Sequence, residues 1–294
     1  MNICFITAGP IEWASSRMRA YWVAEALRER GHEVEITQYP GRQYIAVNHN
    51  AIIWQKTVDL DFVRHNNQWR HYWDVCDPSW WWQPDECREI AQHMTAVVAS
   101  SQALAADFSE WFLSGKGEDA HCPMTYVIPD RLKLSHFHTQ RQHSNVSPVR
   151  LIWFGIAANR VALWGARANL ERLVANGHKI ELTIFDDRPD VRFHFSDAFP
   201  IYHVQWSLDK EVEVLAAHDV ALLPPYPGPW GKVKSNNKAL TAFACGLPVT
   251  DGLSYKELDE VYTRDDYRAW LGKDGIKGNI SAERSAAEWE ALLL

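Results

Sequence analysis

Apolar residues along this chain fall into two alternating rhythms. Short runs of consecutive apolar residues are each followed by a stretch with apolar residues at three-to-four spacing, and this order recurs almost end to end. Residues 2–8 (Asn-Ile-Cys-Phe-Ile-Thr-Ala) read as a strand that stops at Gly9-Pro10. Ser15 or Ser16 then caps a helix with Ala20, Val23, Ala24 and Leu27 on its buried face, and Gly31 closes it. Residues 33–36 alternate as the next strand, and a right-handed crossover makes the two strands parallel. Further strands are predicted at 51–54, 71–75, 96–99 and 126–128, with a helix over 102–112 capped by Ser100 or Ser101.

The pattern lapses over 136–148 into His, Gln, Ser, Asn and Pro, the composition of an interdomain linker. It resumes with a strand at 150–154 ending at Gly155 and a helix over 161–176 ending at Gly177. Strands at 179–185, 220–223 and 248–250 follow, with helices at 212–217 and 235–245. Two successive α/β halves, each opening on a strand, predict an α/β protein of two Rossmann-like, doubly wound domains facing a cleft, over 1–140 and 149–294.

Bulk properties narrow the class. A chain of 294 residues is too long for one ordinary domain and suits two. A net charge of −7 argues against a general nucleic-acid binder with a basic face, although charge can be segregated by patch. No apolar run reaches bilayer-spanning length, and the first residues read as a strand, not as a signal peptide. Cys4, Cys76, Cys87, Cys122 and Cys245 are odd in number and lack paired metal-ligand spacing, so free thiols in a reducing cytoplasm are expected. His136, His138 and His143 lie in the linker without a fixed scaffold, so no metal site is expected there. Among 15 tryptophans, Trp80, Trp81 and Trp82 are consecutive and cannot all face one core. At least one should be exposed, as a platform for a sugar ring or a protein partner.

The main chemical candidate is the segment Gly231-Lys232-Val233-Lys234-Ser235-Asn236-Asn237-Lys238-Ala239-Leu240-Thr241, running into Ala244-Cys245-Gly246-Leu247-Pro248-Val249. A strand stops at Pro224-Pro225, a loop follows, and a helix is predicted to start near Ser235. Unpaired first-turn amides favour an anion there. Lys234 and Lys238 add positive charge, and Ser235, Asn236 and Asn237 add neutral donors, which together make a diphosphate cradle. The plainer alternative is a solvated, lysine-bearing helix start.

The pattern Lys-Ser-x-x-Lys-x-Leu-x-x-x-Ala-x-Gly-Leu-Pro-Val resembles the donor-binding segment of GT-B glycosyltransferases, especially retaining enzymes of the family 4 type. That family usually carries a ribose-binding glutamate where this chain has Thr241, and an acidic residue where it has Val233. The resemblance implies an acceptor-side domain over 1–140 and a nucleotide-sugar donor domain over 149–294. It also implies contacts from the loop Gly155-Ile156-Ala157-Ala158-Asn159-Arg160, with Arg160 on the donor phosphates; an exposed arginine at a helix start is the alternative. Gly9, Ser16 and Arg17 are similar to the first loop of the acceptor-side domain, which reaches the phosphates. Asp77, in Asp74-Val75-Cys76-Asp77-Pro78, falls where the family places a polar contact to the transferring sugar or acceptor, or is a turn aspartate before proline.

The implied activity is hexosyl transfer from a nucleoside-diphosphate sugar, retaining and metal-independent, with Asp77, Lys238 and Arg160 as the catalytic set. Protein cations would stabilise the leaving diphosphate, and no further cofactor is expected. The acceptor is open among glycan, lipid-linked glycan, protein and modified nucleic acid. Two rivals share the fold: a nucleotide-sugar epimerase, and a non-catalytic nucleotide-sugar or glycan-binding protein, for which Thr241 and Val233 are the motive.

Overall fold

The computed structural model describes residues 1–40, 49–115, 123–141, 147–252 and 279–294. His143 and Cys122 lie outside the described residues. The chain forms two compact units. Met1–Lys133, Lys232–Ser235 and the C-terminal stretch to Leu294 make the first, and Leu134–Gly231 with the stretch from Asn236 makes the second. The C-terminal residues thus group with the first unit, whereas the sequence pattern placed the whole span 149–294 in one domain.

The first unit is built on a parallel sheet of six strands, β1 (Asn2–Thr7), β2 (Glu33–Gln38), β3 (Ala51–Gln55), β4 (Arg70–Val75), β5 (Ala96–Ala99) and β6 (Met124–Val127). Their order is β2-β1-β3-β4-β5-β6, so the chain reverses its direction of travel across the sheet between β1 and β3. Alternation along a strand sends Ile3 and Phe5 to one face and Cys4 to the other. The Ile3 face packs on helix Trp22–Glu29 and on the C-terminal helix Ala282–Leu293. Trp289 seals that core with edge-on contacts to Phe5 and Tyr72, at centroid distances of 6.2 and 6.0 Å. Ser281 caps the C-terminal helix by accepting from the Arg284 amide, and Arg131 ties it down through Glu288.

The second unit carries a five-stranded parallel sheet of β7 (Val149–Gly155), β8 (Ile180–Asp186), β9 (Ile201–Gln205), β10 (Val220–Leu222) and β11 (Val249–Thr250). Its order, β11-β10-β7-β8-β9, places the reversal between β7 and β10. Leu151, Trp153, Leu182 and Ile184 fill the core with Leu163, Leu170 and Phe195. The strand β9 was not predicted: it is a short edge strand, and its five residues Ile-Tyr-His-Val-Gln show no clean alternation. The helix predicted over 161–176 is divided into a 3₁₀ segment, Ala157–Gly165, and an α-helix, Arg167–Ala175.

Candidate active site

In a doubly wound sheet, ligands bind beyond the carboxyl ends of the strands where the strand order reverses. Gly155 lies at that position in the second unit, and Gly9 and Ser16 follow β1 there in the first, whereas Asp77 follows β4.

In the second unit, β7 ends at Gly155, whose φ of +153° favours glycine. The ammonium of Lys238 approaches so closely that a β-carbon on residue 155 would lie 2.5 Å from Nζ. The same ammonium lies 4.8 Å from the centroid of the Trp153 ring, a cation–π contact. Lys238 belongs to the first turn of helix Asn237–Ala244. This helix starts two positions later than expected, after the separate short helix Pro229–Val233, because Asn236 and not Ser235 is its N-cap residue. Lys238 and Gly155 are thus brought together at the end of β7. Asn159 is half-buried, its amide turned back to the Ile156 carbonyl at 2.9 Å. Thr241 is buried.

Arg160, expected on the donor phosphates, is turned into the protein. Its guanidinium is buried and forked onto Asp186, with Nη2 2.7 Å from Oδ1, and it also donates to the carbonyls of Arg188 and Val191. Asp186 is the last residue of β8, beside Gly155 in the sheet register. Arg160 therefore braces the loops after β7 and β8, with all three guanidinium nitrogens engaged inside the protein.

In the first unit, Lys234 and Ser235 fasten to carboxylates at the strand ends. Lys234 pairs with Asp77 Oδ1, and Lys56 Nζ lies 2.6 Å from Asp77 Oδ2. Burial raises the Asp77 pKa, but the ammonium groups of Lys56 and Lys234 outweigh it and hold the carboxyl below its ordinary value. Ser235 donates to Asp130 Oδ2. Asp130 also accepts from Arg19 Nη1 at 2.9 Å, and Arg19 forks onto Asp74 within the buried interior. Val233 is buried and accepts a hydrogen bond from Ser101 through its carbonyl. Ser16 is buried and donates to Gln55 Oε1 at 3.1 Å. Arg17 is also buried, and donates to the carbonyls of Ile11 and Glu12. Gly9 lies under the Trp13 ring, which a side chain there would strike.

Sequence reasoning missed Lys56 and Asp130. Lys56 has a φ of +70°, unusual for a residue with a side chain, at the carboxyl end of β3. Its position directly after a predicted strand was the available signal, but its pairing with Asp77 depends on β3 and β4 being neighbours. Of the three consecutive tryptophans, Trp80 is 1% exposed, and its indole N–H donates to Asp107. Trp81 and Trp82 are 38% and 53% exposed, as the crowding argument required.

The class defined by this architecture is the two-domain, parallel-sheet α/β fold of GT-B glycosyltransferases. The chain is similar to an alpha-glucosyltransferase solved in complex with UDP, with a TM-score of 0.63 at 11% identity over 100% of this chain and 95% of that one. A second structure of an alpha-glucosyltransferase, with UDP-glucose and DNA containing an abasic site, aligns with a TM-score of 0.59 at 11% identity over 100% and 95%. A lipopolysaccharide outer core galactosyltransferase in its apo form aligns over 100% of both chains, with a TM-score of 0.55 and 11% identity. No protein-family model matches the chain, and no curated protein matches it in sequence. Among the described residues no helix is long and apolar enough to cross a membrane.

Proposed function

We propose that this protein is a glycosyltransferase that moves a hexose from a nucleoside-diphosphate sugar to an acceptor, with the donor's diphosphate bound at the carboxyl end of β7. The observation that carries this reading is the seating of Lys238 over Gly155, at the point where the second sheet reverses its strand order. A glycine without a side chain lets an anion approach the backbone, and the amides at the start of helix Asn237–Ala244 add partial positive charge. As the glycosidic bond breaks, the sugar takes on oxocarbenium character and negative charge grows on the departing diphosphate. A fixed ammonium beside that charge stabilises the transition state more than the bound donor. Arg160 acts through Asp186 as a positioning residue and is left out of the phosphate contacts.

The nucleotide in the similar structures solved with UDP or UDP-glucose supports a uridine nucleotide, the likeness of the donor segment to retaining enzymes supports retention, and the lysine ammonium in place of a metal ion supports metal-independent transfer. Asp77, held ionised between Lys56 and Lys234, is the proposed carboxylate on the acceptor side. The test is a thermal-shift and calorimetric panel of UDP, GDP, ADP and dTDP with their sugars, run with and without chelator. Selective stabilisation by one nucleotide, reduced in Lys238→Ala, supports the reading. Equal indifference to all four nucleotides would overturn it.

A further inference from the structure

A second cluster of chemically capable side chains lies in the first unit, on the face of the sheet turned away from Trp289. Cys4 of β1 stands directly opposite Glu35 of β2 in the parallel register, and both side chains lie on that face. His49 arrives beside them two residues before β3. Its neighbour Asn50 fixes this approach, donating its amide to the Asn2 carbonyl at 2.8 Å and accepting from the Asn2 amide at 2.8 Å. The Cys4 sulfur, a Glu35 carboxylate oxygen and a His49 ring nitrogen lie within 4.8 Å of one another. The edge of the Trp69 ring system further confines the imidazole, at a centroid distance of 6.4 Å.

The state of His49 points to a ligand. The residue is 8% exposed, yet neither ring nitrogen has a hydrogen-bond partner among the described residues. Nε2 lies 3.2 Å from Glu35 Oε2, but off the line that a hydrogen bond requires. A buried imidazole left this way is costly, because each polar atom loses its water without a replacement. Two donor atoms that are close but misaligned for a shared proton are arranged as neighbouring ligands of one cation.

We infer that Cys4, Glu35 and His49 form a binding site for a divalent transition-metal ion, zinc by the chemistry of the donor set. One sulfur, one imidazole nitrogen and one carboxylate oxygen suit a borderline-soft cation and do not suit calcium or magnesium, which take oxygen ligands. The Glu35 side chain is 36% exposed, so the ion enters from the solvent side while the sulfur holds it from within. Three protein ligands leave the fourth tetrahedral position to water. The site bridges β1, β2 and the segment leading into β3, so its role is to pin the edge of the sheet, and it is separate from the proposed donor chemistry.

The experiment uses the full-length chain without an affinity tag. Chelator-treated protein is titrated with Co²⁺, followed by competition with Zn²⁺, while absorbance and thermal stability are read. The expected result is one equivalent of cobalt with a near-ultraviolet thiolate-to-cobalt charge-transfer band, displaced by zinc, and a raised melting temperature. The band should vanish in Cys4→Ala and persist in Cys87→Ser, which removes a buried thiol elsewhere in the same unit. Glu35→Gln and His49→Ala should each bind at least about tenfold more weakly. Glu35→Gln, at a half-exposed position, decides the matter if Cys4→Ala fails to fold. Wild-type protein that shows no thiolate band in excess cobalt, a band that survives in Cys4→Ala, or unchanged affinity in Glu35→Gln overturns the site.

Discussion

The ammonium of Lys238 occupies the space that a side chain on residue 155 would need: a β-carbon there would fall 2.5 Å from Nζ. The glycine at the end of β7 and the lysine on the helix eighty-odd positions later therefore form one feature. Gly155→Ala should disturb it twice over. A φ of +153° strains any residue with a side chain, by about 1–3 kcal/mol, and the new methyl displaces the ammonium. The variant should melt earlier and bind UDP as weakly as Lys238→Ala does. Wild-type nucleotide affinity in Gly155→Ala, measured by calorimetry, would separate the two residues.

Lys238→Ala should weaken nucleoside-diphosphate binding about tenfold or more, since a charge-assisted contact contributes on the order of 1.5–3 kcal/mol. Turnover should fall further, because charge grows on the leaving group in the transition state. Lys234→Ala should also weaken binding and turnover, and it removes one of the two cations that hold Asp77. Thr241→Ala should do less, as its buried hydroxyl carries no charge. Titration calorimetry and steady-state rates on the three variants check this order.

Arg160→Met should act on stability. It leaves Asp186 buried without its guanidinium, and breaking such a pair costs about 3–5 kcal/mol. The expected signature is a large drop in denaturation midpoint, with residual nucleotide affinity in whatever fraction remains folded. A variant of wild-type stability that has lost UDP binding would instead make Arg160 a direct phosphate ligand.

His71 gives the fold an acid-sensitive point. Its Nε2 donates to the Asn66 carbonyl at 2.9 Å and its Nδ1 accepts from the Trp54 indole at 3.1 Å, which fixes the ring as neutral. Burial lowers its pKa below 6.5, against a smaller opposing effect of the Asn66 carbonyl. The unfolded chain therefore binds this proton more readily than the folded one. The stability from the neutral ring is complete above pH 6.5 and is lost as pH falls from 6.5 toward the lowered value. Urea denaturation from pH 7.5 down to 5 should show this decline, with a shallower slope in His71→Asn. Equal slopes would exclude His71 as the source.

Much of the fold could be read from the chain because parallel strands and their covering helices are local patterns. A buried strand is a short apolar run, and a covering helix has three-to-four spacing, so β1 to β8, β10 and β11 were each legible within a few residues. The glycines at 155 and 246 and the lysines at 234 and 238 were legible as a group, since one short segment and one strand end carry them. Which partners those residues take was settled only by tertiary structure. Lys56 meets Asp77, and Ser235 meets Asp130, because strands far apart in sequence end side by side. Arg160 turned inward because Asp186 ends the neighbouring strand β8. Cys4, Glu35 and His49 lack any recognisable ligand spacing, and they come together only through the register of β1 with β2 and the entry into β3. The sequence by itself determined the secondary elements, because these follow from periodicity within a few turns of chain. Strand order and register determined the chemistry of the side chains, because an ion pair or a ligand cluster depends on distances in space and not on spacing along the backbone.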